Sequence, residues 1–297
     1  MTTSDLVPDL AAAGSPSRLQ LPRILRTTSP RAGHVKIAAG AIPVLLLLLA
    51  GLLAPVLGVD DPVTQNLRAR LRPPSTEHWF GTDAFGRDVF ARALYAARVD
   101  IPLAVLGAAL PAVVGSILGT LAGYFGRGVD FVVMRATELA QAFPAYIFFI
   151  IAAFVVGPGV TTFLGAALFV SWVSYARIVR SQTMVVREAD FIKAARTSGI
   201  SRIRILFRHL LPNTVPQAII YFASDIVFAL VALCSLSYLG LGIAEPRPEW
   251  GSMIAGGQAY VRSAWWLSTI PGLLIVAMGA AFASISEGID DLRRLGR

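Results

Sequence analysis

The chain has 297 residues, is 55% hydrophobic and only 15% charged, and carries a net charge of +8. A soluble domain carries nearer a quarter charged residues and breaks its apolar stretches with polar positions; here the apolar residues gather in long runs, which excludes an ordinary soluble fold. The basic residues lie between those runs, so the positive balance points to membrane orientation and not to a nucleic-acid partner.

In chain order, residues 1–36 form a polar, Pro- and Arg-rich arm, expected to be disordered or associated with the membrane surface. Six apolar runs follow, at 37–59, 101–124, 131–156, 160–179, 216–240 and 266–285. Each has 20 to 26 residues, and about 20 are needed to cross a bilayer core. The first run is too long for a secretory signal and no small-residue cleavage site follows it, so it is read as a retained helix. Gly107, Pro111, Gly115 and Gly119 in the second run, and Pro144 in the third, are tolerated in membrane helices, and small residues there allow close helix approach.

Six spans place both termini on one side. With the arm, the turn near Arg127, the loop 180–215 and the tail inside, 18 Lys and Arg lie inside and 8 outside, the latter balanced by 8 acidic residues. Both termini are therefore expected in the cytoplasm. In the outer segment 60–100, apolar residues at helical spacing from Arg87 to Arg98 predict a short amphipathic helix, lying at the interface or packed on the spans. Trp250 lies in a second outer loop rich in Pro and Trp. It is expected to touch an extracytoplasmic protein or cap the pathway, whereas Trp265 and Trp266 read as an interfacial aromatic belt.

Few residues invite chemistry. The single cysteine, Cys234, rules out a Cys-cluster metal site, and His34, His78 and His209 lie far apart, so no metal centre is expected. No G-x-x-x-x-G-K-[ST] run is present, so the chain does not cradle ATP phosphates. Two carboxylates fall within predicted spans, where ionisable groups are costly and usually functional. Glu138 has Arg135 three residues before it as a partner, while Asp225 has no basic residue within four positions and is read as facing the pathway, packing internally or pairing with a partner subunit.

The most informative segment is the basic loop 187–215. Ala194 and Ala195 sit on a helical stretch, Gly199 permits a sharp turn, and a second helix from Ser201 is expected to end at Pro212 before Pro216 opens the next span. On that second helix Ile203, Phe207, Leu210 and Leu211 are placed on one side. A rigid helix–Gly–helix elbow between two spans can transmit force.

Ala194, Ala195, Arg196, Gly199, His209, Leu211 and Pro212 in this spacing resemble the Glu-Ala-Ala loop of bacterial ABC-importer permeases, in the form seen in peptide and nickel permeases. Further segments resemble subunits of the DppC/OppC type: Gly81-Thr82-Asp83 with Gly86-Arg87-Asp88, the run from Gly123 to Glu138, Ala142-Phe143-Pro144, Gly157-Pro158-Gly159, the run from Trp172 to Arg177, the run from Leu236 to Gly242, Pro248-Glu249-Trp250-Gly251 and Pro271-Gly272-Leu273. The chain departs from that pattern at Lys193 (Glu in the general motif), at His209 (Ile), at Leu233 (often Glu) and at the end of the last span, which reads SISEGIDDLRR.

The resemblance implies an all-α membrane protein of six transmembrane helices with the MetI-like type I importer fold. Its parts would be a cytoplasmic arm 1–36, a first helix 37–59, an extracytoplasmic segment 60–100 and a permease core 101–297 with the coupling loop 187–215. It further implies a bacterial plasma-membrane subunit that is no enzyme and binds no cofactor. Its partners would be a second permease of the DppB/OppB type, two ATPase subunits of the DppD/DppF or OppD/OppF type that bind ATP and Mg, and an extracytoplasmic substrate-binding protein. Di- or oligopeptides are the implied cargo, with nickel chelates, glutathione or another small solute as alternatives. A stand-alone secondary transporter, the competing class, would usually show paired halves and ionisable residues at the midplane.

Overall fold

The computed structural model describes residues 30–295; all but the end of the predicted arm 1–36 lies outside them. Every element of two residues or more is helical. Five helices are long and apolar enough to cross a membrane: α1 (Pro30–Leu53), α2 (Val89–Phe125), α5 (Val160–Val186), α8 (Leu211–Tyr238) with the turns that lead into it, and α10 (Trp266–Leu295). A sixth crossing is available only as a bent pair, α3 (Arg127–Gln141) and α4 (Ala145–Val156), whose axes meet at 81°. The predicted straight span 131–156 is thus broken, because Pro144 disfavours helical backbone at Phe143 and cannot donate a ladder hydrogen bond. Helix α1 is also displaced from the predicted run 37–59: it ends at Leu53, two residues before Pro55.

The predicted interfacial helix 87–98 is instead the first three turns of α2, a continuous helix of 37 residues, about 55 Å long at 1.5 Å per residue. Asp88 caps it by accepting from the Ala91 N–H at 2.8 Å. Val89, Ala93, Ala96 and Ala97 are buried in the main core, and the helix continues through Pro102. That packing outweighs the hydrogen bond that Pro102 cannot make. The segment before α2 is folded by its own loop chemistry. Asp83 accepts from the N–H groups of Phe85 and Arg87 and from Arg87 Nε at 2.6 Å. Gly86 has φ +73° and lies where a Cβ would stand 1.8 Å from the Asn66 carbonyl oxygen, so only glycine fits.

The bundle is built on close approach. Gly115, Gly119 and Gly123 recur every four residues on α2, and a Cβ at each would fall 2.3, 2.4 and 2.7 Å from Trp172 O, Ala176 O and Thr183 Cβ of α5. The small residues let the two backbones nearly touch. Helix α1 clamps to α10 in the same way through Gly33, Gly40 and Gly288, with Lys36 bridging Glu287 at 3.0 Å and Asp291 at 2.8 Å. Its other face, with Leu45, Leu46, Leu49 and Leu52, is bare.

Candidate functional site

The elbow between α5 and α8 is the most specialised surface. Helix α6 (Asp190–Thr197) opens with Asp190 in its first turn, where a carboxylate complements the positive helix end. It closes in a Schellman motif: Gly199 takes φ +74°, its N–H donates to Arg196 O at 3.1 Å, and the Ile200 N–H donates to Ala195 O at 3.2 Å. Ser201 then caps the short α7 (Arg202–Ile205), and a π-helical turn, Leu206–Leu210, leads straight into α8. Pro212 therefore does not end the helix as expected. It sits in the first turn of α8, where the wide π turn relieves the clash a proline ring makes with the preceding turn.

The elbow has a small core of its own. Ile192, Ala195, Ile205 and Leu210 are buried against Tyr124, Val186 and Ile200, and the Arg196 guanidinium lies 5.2 Å from the Tyr124 ring centre. Ala194 and Gly199 are exposed, Leu211 and His209 are half-buried, and the His209 carbonyl accepts from Asn213 Nδ2. The expectation of one apolar side fails. Ile203 (69% exposed) and Phe207 point outward while Leu210 points into the core, because the π turn breaks the 3.6-residue register between them. Phe191, Ile203 and Phe207, with Arg202, Arg204 and Arg208, are thus exposed on the outer side of the elbow, and none of the three arginines has an ion-pair partner among the described residues. Beside it, Tyr124, Phe125, Arg196 and Arg202 line an open cavity of about 420 Å³.

The other singled-out residues lie elsewhere. Asp225 is 3% exposed and accepts from Ser171 Oγ at 3.2 Å and from the Tyr175 hydroxyl at 3.1 Å, so its partners are on α5 of the same chain. Glu138 is half-exposed on α3 and pairs with Arg135. Trp250 is 0% exposed, its indole Nε1 donates to Ala93 O at 3.1 Å and its backbone N–H to Asp100 Oδ2 at 3.0 Å. A side chain with no exposure in the isolated chain cannot be a docking contact in this conformation. Trp265 is exposed as a belt residue would be, but Trp266 is buried and donates to Thr82 O.

Two clusters at the Trp250 end went unrecognised in the sequence. Arg92, only 2% exposed, donates to Pro62 O and faces Asp83 and Glu245, with Arg87 beside it. A charge among the helically spaced apolar residues of 87–98 was the available signal. Asp100, Cys234 and Glu249 also meet, all buried, with one ligand-capable atom of each within 4.8 Å of the others. Glu249 caps α9 (Trp250–Gly257) by accepting from the Gly251 and Ser252 N–H groups; burial raises its pKa and those N–H groups pull it back. Asp100 stands one residue before the predicted second span, and three residues this distant in sequence come together only through helix packing.

This arrangement of broken and continuous spans around an exposed helical elbow is that of a multi-pass membrane protein. Residues 96–293 match the family described as "Binding-protein-dependent transport system inner membrane component", and the chain belongs to that family. It is 35% identical over 254 residues, 85% of this chain and 79% of the relative, to the dipeptide transport system permease protein DppC of Bacillus subtilis. It is 31% identical over 258 residues, 87% of this chain and 86% of the relative, to the glutathione transport system permease protein GsiD of Pectobacterium atrosepticum. Among solved structures it is similar to a chain of an inward-facing MetNI methionine ABC transporter. The TM-score is 0.53 at 15% identity, covering 69% of this chain and 97% of that one. The MetI-like importer fold expected from the sequence is therefore the fold found, with the third crossing bent.

Proposed function

We propose that this chain forms half of the translocation pathway of an ATP-driven importer of di- or oligopeptides. The observation that carries the coupling role is the elbow: a rigid turn with its own core presents Phe191, Ile203 and Phe207 outward among three arginines. Such an apolar, basic surface at the end of a long helix suits a cleft on a separate ATPase subunit. Displacement of that subunit would pass through α6 and α7 into α8 and open the pathway by alternating access. A second permease completes the pathway and an extracytoplasmic binding protein delivers cargo. Both termini and the elbow lie in the cytoplasm, as the arginine distribution suggests. Ala194, Ala195, Arg196, Gly199, His209, Leu211 and Pro212 make up the coupling segment, and Glu138, exposed on α3, faces a partner subunit. The peptide cargo rests on the similarity to DppC.

The test is the intact complex in membranes. With cysteines placed at Ser75, Ser198 and Gln258, an impermeant reagent applied from outside should label positions 75 and 258 only. Labelled dipeptides should enter in an ATP-dependent, binding-protein-dependent way, and mild-detergent extraction should bring ATPase subunits along. Labelling of position 198 from outside would overturn the orientation. Uptake that survives ATP depletion but stops on collapse of the ion gradient would overturn the importer reading in favour of a secondary carrier.

A further inference from the structure

We propose that Asp100, Cys234 and Glu249 form a buried site for a divalent transition metal of the zinc class, which staples α9 to α2 and α8. The three residues come from those three elements or their junctions, and one ligand-capable atom of each lies within 4.8 Å of the other two. Asp100 and Glu249 are both 0% exposed. Among the described residues no Lys, Arg or His stands within ion-pair distance of either carboxylate.

Backbone donors meet both carboxylates. Glu249 accepts from the Gly251 N–H at 2.9 Å with one oxygen and from the Ser252 N–H at 2.7 Å with the other. Asp100 Oδ2 accepts from the Trp250 N–H. Asp100 Oδ1 is buried and has no hydrogen-bond partner among the described residues. An unsatisfied carboxylate oxygen beside a second carboxylate, out of water, costs several kcal/mol unless something positive joins them.

A proton shared between the carboxyls would cancel one charge and leave the Cys234 thiol only as a hydrogen-bond partner of Glu249. A divalent cation would offset both carboxylate charges and take the orphan Asp100 oxygen; it would recruit Cys234 as a thiolate with release of the thiol proton to solvent, leaving one net negative charge among the Gly251, Ser252 and Trp250 N–H donors. Two oxygens and one sulfur suit zinc, which binds them at about 2.0–2.3 Å in tetrahedral geometry with room for a fourth ligand. The donors, up to 4.8 Å apart, would have to draw in by roughly 1 Å to reach that geometry. Cys234 also lines a cavity of about 400 Å³ beside Ser235 and Tyr238, which offers an approach for the ion. The close seating of α9 supports a staple here, since a Cβ at Gly251 would lie 2.1 Å from Cys234 O. No spacing rule points to this site, because its ligands are 134 and 15 residues apart along the chain.

The experiment compares the intact complex, purified in mild detergent without chelator, with complexes carrying Cys234→Ser or Asp100→Asn. Metal content per complex should fall by about one zinc equivalent in either variant. Cobalt exchanged into the wild type should give a thiolate-to-metal charge-transfer band that Cys234→Ser lacks. If a variant fails to assemble, the cobalt band of the wild type decides. The proposal is overturned if the wild type shows no such band. It is also overturned if wild type and Asp100→Asn carry the same metal, the result expected of a proton-sharing pair.

Discussion

Gly199 is where conformation and coupling can be separated. In the substitution Gly199→Val, the added Cβ meets no atom of the chain within 4 Å, so the internal cost is not steric crowding but backbone conformation at φ +74°. An L-residue there costs about 1–2 kcal/mol, and up to about 3 kcal/mol in a strained setting. If the turn relaxes, the Gly199–Arg196 and Ile200–Ala195 hydrogen bonds are lost and Ile200 withdraws from the core around Ile192 and Leu210. One or two kcal/mol shifts the local equilibrium by about 5- to 30-fold. Hydrogen exchange, followed by mass spectrometry of the complex, should show the peptide containing the Ile200 amide losing protection by that factor in Gly199→Val. Gly199→Asn should change it far less, because Asn tolerates the left-handed region. ATPase association and peptide uptake should fall with protection in the Val variant. Unchanged protection there would refute the strain argument. Lost protection with normal ATPase association and uptake would show that the elbow does not couple. Lost association in Gly199→Asn with protection intact would mean that a partner surface, not strain, excludes a side chain.

Gly119→Ala places a Cβ 2.4 Å from the Ala176 carbonyl and must push α2 from α5. A cost of about 1–3 kcal/mol is expected as a lowered unfolding temperature in detergent, and an unchanged temperature would refute the close-packing account. Trp250→Ala empties a fully buried site and should cost about 3–5 kcal/mol. It should appear as lost yield and thermal stability, with Trp250→Phe intermediate because an aromatic ring still fills most of the site while the hydrogen bond to Ala93 O and the outer part of the indole are lost. A stable Trp250→Ala protein that fails only in binding-protein docking would restore the surface reading.

Long apolar runs, arginine placement and the spaced Ala-Ala-Gly-Leu-Pro segment could be read directly from the chain, because bilayer thickness, charge and turn chemistry act on neighbouring residues. From them came the fold class, the membrane class and the elbow. The bend at Pro144 and the helix that runs on through Pro102 and Pro212 were not legible, since the same residue breaks one helix and is absorbed in two others. The difference lies in what packs around it: the alanine-rich core along α2 and the π turn before α8 hold the chain helical, while nothing similar spans Ala142–Pro144. Trp250, read from its sequence neighbours as an outer contact, lies in the core because α9 folds back onto α2. Asp225 found its partners on α5, 50 and 54 residues away. Local rules thus determined which segments enter the membrane and where the chain must turn, whereas the partners of each buried polar group were decided by helix packing, which joins residues that no sequence spacing relates.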